Sequence, residues 1–233
     1  MRQINPFSDE RLLDKCVYCG RESDTADHVP SKIFIDEPFP ENMPVVPACK
    51  VCNLGFSLDE QYLSCLIDYA KNGAVSPEDS QLREKVRNTL KHTPKLAISI
   101  VEQRILNANG VISFRFNKER VEKIILKLAK GHTAYELSEP KYYAPTIVWY
   151  QPISCLSADA RRAFETPPDS TILPEIGSRA FQKTFIDATM HTIKHPGWQE
   201  VQEGSYRYLA VVDAGALVRI VLSNYLACEV LWK

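Results

Sequence analysis

The chain has 233 residues, 45% of them apolar and 24% charged, with a formal net charge of −1; these are the proportions of an ordinary soluble globular protein and exclude a disordered chain, a collagen and a coiled coil. No apolar run reaches the ~18–20 residues needed to span a bilayer. The opening Met1-Arg2-Gln3-Ile4-Asn5-Pro6 has no apolar stretch behind its basic residue, so the expectation is a cytoplasmic protein with no membrane partner.

Residues 1–56 are rich in Pro, Cys and turn residues and show little helical periodicity, so short strands and knuckles are expected there. Ser57 to Glu60 has capping-box spacing and opens the apolar series Tyr62, Leu63, Leu66, Ile67 and Ala70, which predicts a helix closing at Gly73. A second helix is expected from Ser76-Pro77-Glu78-Asp79 through Lys91, with Pro at N1 and acids in the first turn. Residues 96–106 and 111–116 read as a hairpin around Asn109-Gly110. A third helix is expected from Lys118 to Lys130, stopping at Gly131. Further on, 142–150 reads as a strand and 157–165 as a short helix. Residues 207–212 and 217–232 read as strands joined by a turn at 213–215. The expected fold is therefore α+β: a small N-terminal module over 1–73 and a larger α+β body with a β-rich C-terminus over 74–233.

Charge is unevenly spread. Residues 1–60 carry 6 basic and 11 acidic side chains, residues 61–130 carry 13 and 7, and the remainder 9 and 11. The basic middle offers Lys85, Arg87, Lys91, Lys118, Arg120, Lys123 and Lys127 as candidate phosphate contacts. A solvated helix face explains such a segment equally well.

Four of the seven cysteines form two Cys-x-x-Cys pairs, Cys16/Cys19 and Cys49/Cys52. Two matched pairs supply four thiolates at the local spacing of a tetrahedral structural Zn²⁺ site. A redox dithiol is the alternative, but no strand–helix context surrounds either pair. A loop this small lacks a core of its own, so the metal would fold it. Between the pairs stand Asp27, His28 and Asn42, and Asn53 follows Cys52. An acid and an amide can hold a hard cation while a neighbouring imidazole stays free to act as a base.

Cys-x-x-Cys, then Asp-His-x-x-Pro, then Asn, then Cys-x-x-Cys-Asn resembles the zinc-bearing HNH endonucleases, the ββα-metal or His-Me finger nucleases. The resemblance covers about residues 13–63. Pro44 to Cys49, Cys52-Asn53, Gly55-Phe56-Ser57 and Asp59-Glu60 look like a bacterial subgroup, and Val218 to Leu222 with Tyr225 to Trp232 look similar to its tails. The resemblance implies His28 as general base, Asp27 and Asn53 as ligands of a catalytic Mg²⁺ or Mn²⁺, and Asn42 as the residue orienting the His-bearing loop. The middle Asn of the family lies nine residues before the third motif position. Pro44 stands there, and Asn42 lies two further back, which reads as an insertion containing Pro47. The implied activity is hydrolysis of phosphodiester bonds, with DNA as substrate, in bacterial defence or mobile elements. One finger has one active site, so a double-strand break would call for a homodimer or a partner subunit. The competing class is a zinc-stabilised nucleic-acid-binding or interaction module without catalysis.

Other residues have bland readings. Asp59 and Glu60 fit a capping box. His191 and His195 have i, i+4 spacing, but Pro196 and the β-branched Thr192-Ile193 argue against a helix. Cys65, Cys155 and Cys228 read as core.

Overall fold

A computed structural model describes residues 12–41, 43–106, 112–168, 172–187, 192–194 and 197–233. The architecture is α+β, with six α-helices among the described residues and a five-stranded C-terminal sheet. The chain forms two compact units. One combines residues 1–55 with 125–233; the other comprises 56–124.

In the first unit, β1 (Thr25–His28) pairs antiparallel with β2 (Val45–Ala48), and α1 (Lys50–Asn72) starts directly after Cys49. The helix thus begins seven residues before the expected capping box. Its start is secured from outside: Asp24 Oδ1 accepts from the Lys50 N–H at 2.6 Å and Cys49 Sγ from the Cys52 N–H at 3.4 Å. These satisfy N–H groups that have no partner within the helix. Ser57 to Glu60 are consequently mid-helix residues, while Gly73 does end the helix with φ +63°.

The second unit holds most of α1, α2 (Glu84–His92), α3 (Pro94–Glu102) and the hairpin β3 (Arg104–Leu106) with β4 (Ile112–Phe114). Residues 76–82 form turns, so α2 begins at Glu84. The expected strand from residue 96 is largely helical: Pro94 sits in the first turn, and Ala97 and Ile100 bury one face at helical spacing. Only 104–106 is extended, and the Asn109-Gly110 turn lies outside the described residues. Asp68, 2% exposed, accepts from the Arg83 backbone at 2.8 Å and its guanidinium at 2.9 Å, fixing the entry to α2.

α4 (Lys118–Leu137) runs through Gly131 rather than stopping there. It ends at Ser138, φ +58°, with the Glu139 N–H donating to Thr133 O at 3.2 Å. This closing motif usually carries glycine at the left-handed position, so the serine gave no stop signal.

The large sheet has the order β5 (Ile147–Pro152), β11 (Leu226–Trp232), β10 (Ala216–Leu222), β9 (Tyr206–Val212), β8 (Gln199–Gln202), antiparallel throughout. The expected single strand 217–232 is two strands, because Ser223 (φ +54°) and Asn224 (φ +50°) reverse the chain. On one face, His132 of α4 stacks on Tyr208 at 3.7 Å between ring centroids and bonds Tyr206 Oη at 2.7 Å. On the other face, α5 (Ala158–Glu165) packs Phe164 against Val221 and Ala227. α6 (Arg179–Lys183), β6 (Phe185–Asp187) and β7 (Thr192–Lys194) complete the unit. Cys65 and Cys228 are core residues as expected; Cys155 is exposed, a correction, since it falls in a short turn after β5. His191 and His195 lie outside the described residues. No helix among the described residues is long and apolar enough to cross a membrane.

Candidate metal centre and the residues around it

The Sγ atoms of Cys16, Cys19, Cys49 and Cys52 all lie within 4.8 Å of one another. A tetrahedron with metal–sulfur bonds of ~2.3 Å has edges of ~3.8 Å, and Cys19 Sγ to Cys49 Sγ is 3.7 Å. The backbone explains the convergence. Gly20 (φ +75°) turns the first knuckle, its N–H donating to Cys16 O at 2.8 Å. Val17 N–H donates to Pro47 O at 3.1 Å, joining that knuckle to β2, and the second knuckle forms the start of α1. Burial raises the Cys16 and Cys52 thiols. Burial acts on Cys19 too, but Arg21, whose Nε donates to Sγ at 3.5 Å, helps bring that thiol down to about 6. Four sulfurs this close cannot all ionise without a cation among them, whereas a bound Zn²⁺ suits all four. Among the described residues this is the one group of three or more Cys, His, Asp or Glu side chains placed to share an ion.

Asp27 and His28 end β1. Asn53, in the first turn of α1, donates its amide to Thr25 Oγ1 and Ala26 O, each at 3.3 Å, so helix and strand are cross-linked beside Asp27. His28 pairs in register with Val45 and is half-buried. Its Nδ1 is buried with no hydrogen-bond partner. Burial lowers the His28 pKa, Lys32 and Lys127 lower it further, and Asp27 opposes them. These influences together favour the neutral ring. Asn42 lies outside the described residues.

Asp27 is 7% exposed and already partnered. Its Oδ2 accepts from Tyr18 Oη at 2.6 Å and meets Lys127 Nζ at 2.8 Å. Lys127, 2% exposed, also donates to Ser31 Oγ. This corrects its expected place on a phosphate-binding face: the ammonium is inside the protein. Tyr18 and Ser31 escaped the sequence reading, although Tyr18 lies between the cysteines of the first knuckle.

The other basic candidates belong to the second unit. Arg120 and Lys123 both bind Asp59, at 2.5 and 2.7 Å, and Arg120 stacks on Tyr62 at 4.2 Å. Burial alone would raise Asp59, but these two cations hold its carboxyl below the usual range. Arg87 donates to Ser80 O and Leu82 O before α2. Lys118 is 72% exposed and faces Glu122 at 3.5 Å; Lys91 is exposed and Lys85 half-buried. The basic middle is thus partly an internal ion-pair network.

Comparison with protein families, with curated proteins and with solved structures finds no match.

Proposed function

We propose that this chain is a metal-dependent endonuclease that hydrolyses phosphodiester bonds of nucleic acid, with DNA the first substrate to test, on a zinc-stapled ββα-metal module. The observation that carries it is that Asn53, next to Cys52 of the four-cysteine cluster, ties the first turn of α1 to Thr25 and Ala26 of β1, the strand that ends in Asp27 and His28. His28, whose neutral form burial favours, is fit to take a proton from an attacking water. The donors present suit a hard cation: a carboxylate with Oδ1 outside the Tyr18 and Lys127 pairing, and a carboxamide whose amino group is engaged, leaving its oxygen to offer. Asp27 and Asn53 would hold Mg²⁺ or Mn²⁺, which when bound supplies Lewis-acid stabilisation to the scissile phosphate. A single site of this kind nicks; cutting both strands calls for a second copy or a partner subunit.

A second reading has one observation in its favour. Asp27 already has a cationic partner in Lys127, as a catalytically silent, zinc-stabilised nucleic-acid-binding or interaction module would allow.

The test is cleavage of supercoiled plasmid by zinc-loaded protein, with and without Mg²⁺, for wild type and His28→Ala. Mg²⁺-dependent nicking that falls ~10²–10⁴-fold in His28→Ala, with zinc content unchanged, is the expected result. Equal activity in the two proteins removes His28 as the base. Absence of cleavage by the wild type favours the binding module.

A further inference from the structure

Lys127, far along the chain in α4, meets Asp27 under nearly complete burial. Burying an ammonium is costly unless it is paired and hydrogen-bonded. Here both conditions hold through Asp27 Oδ2 and Ser31 Oγ. The same carboxylate is the candidate anionic ligand of the catalytic ion. We propose that Lys127 is a positioning residue that competes with the divalent ion for Asp27 and thereby sets the affinity of the site for that ion.

This deepens the nuclease reading and rests on it for the identity of the ion site. Two cations sharing one carboxylate in a poorly solvated region repel each other strongly. The ammonium also fixes Oδ2, together with Tyr18, so that one carboxylate oxygen is held away from the ion. With Lys127 in place the site takes a divalent ion weakly on its own and more readily when a phosphodiester adds negative charge. Ion and substrate phosphate are then loaded together, and the site does not carry a reactive ion between substrates.

The experiment measures Mn²⁺ binding to zinc-loaded full-length protein by electron paramagnetic resonance. Lys127→Gln removes the charge and keeps a donor; Lys127→Met removes both. Each is expected to bind Mn²⁺ at least about tenfold more tightly than wild type, since a nearby like charge is gone. Tyr18→Phe removes a hydrogen bond from the same oxygen without changing charge, and should shift the affinity by clearly less than the Lys127 variants do. Asp27→Asn should abolish the gain in the Lys127→Gln background. Unchanged or weaker Mn²⁺ binding in a folded Lys127→Gln protein overturns the proposal. A Tyr18→Phe effect as large as that of Lys127→Gln also overturns it, because packing rather than charge would then be responsible. Plasmid cleavage is run in parallel: tighter Mn²⁺ binding without cleavage upholds the role of Lys127 and removes the nuclease reading.

Discussion

Gly131 passes so close to Val29 that a methyl group added to it would lie 2.5 Å from the valine Cγ2 and 2.9 Å from Cγ1. Val29 is fully buried, β-branched and next to His28, so it has little freedom to move aside. Glycine here serves close approach between α4 and the end of β1, not a turn. Gly131→Ala should therefore destabilise the protein by ~1–3 kcal/mol through overpacking, read as a lower denaturant midpoint. Val29→Ala combined with it should recover part of the loss through coupling of the two sites. An unchanged midpoint in Gly131→Ala would show that the contact is looser than described.

The four-cysteine cluster should hold one zinc per chain, measurable by elemental analysis of purified protein. Removing the metal with a chelator withdraws several kcal/mol of ligand-linked stability. For a chain of this size that corresponds to a fall in Tm of ~10–20 °C. Cys49→Ser should reproduce the fall without chelator. A metal-free protein with the same Tm would show that packing alone holds the module.

His132 sits inside the protein between Tyr206 and Tyr208. Burial, and then Lys127 and Lys183, push its pKa well below the ordinary value of 6.5. The unfolded chain thus takes up a proton near pH 6.5 that the folded chain refuses. The stability due to neutral His132 is complete above about pH 6.5 and declines below it, at up to about 1.4 kcal/mol per pH unit. His132→Gln cannot titrate, so its stability should fall less between pH 7.5 and 5.5 than that of wild type. Urea unfolding at both pH values measures the difference, and parallel losses in the two proteins would exclude this origin.

Arg219 joins the sheet to the end of α5. Its Nε binds Glu229 at 2.7 Å, and its Nη1 donates to the carbonyl oxygens of Ala163, Phe164 and Thr166 at 3.1, 2.9 and 2.7 Å. Those carbonyls belong to a helix C-terminus, where a cation is favoured. Arg219→Met should cost ~1–3 kcal/mol by leaving them without this donor, and hydrogen exchange should quicken at residues 158–166 before the rest of the sheet. Uniform exchange across the unit would place the effect elsewhere.

What the sequence made legible followed from local chemistry. The two cysteine pairs, the short helix expected over 157–165 and the strand expected over 207–212 were readable because their signals lie within a few residues. The errors arose where a distant residue supplied the signal. α1 starts early because Asp24 caps it from outside. Gly131 lies inside α4 and answers to Val29, which occupies the space where a side chain would project, rather than to a helix end. Lys127 looked like a surface cation within a basic run, and nothing in positions 118–130 announces that Asp27 lies 2.8 Å away. The turn at Ser223-Asn224 was missed for another reason: its residues adopt positive φ without the glycine that usually marks it.

The segment bearing the cysteines is completed by residues made much later. Asp36 exchanges two hydrogen bonds with Gln202, its N–H donating to Oε1 and its carbonyl accepting from Nε2, both at 2.8 Å across 166 positions. At ribosomal speeds of about 5–20 residues per second, that interval lasts roughly 10–30 s. For the first part of it, the roughly 5–20 s that separate Asp27 from Lys127 at the same speeds, Asp27 has not met its ammonium and Val29 has not met its glycine. The nascent N-terminus can gather zinc from its own four thiolates, yet it finishes burying Asp27 only when α4 emerges. The order of synthesis thus lets the four thiolates meet before the ammonium that pairs Asp27 exists. A nascent chain stalled before residue 127 would carry all four cysteines, with Tyr18 but no ammonium to meet the Asp27 carboxylate.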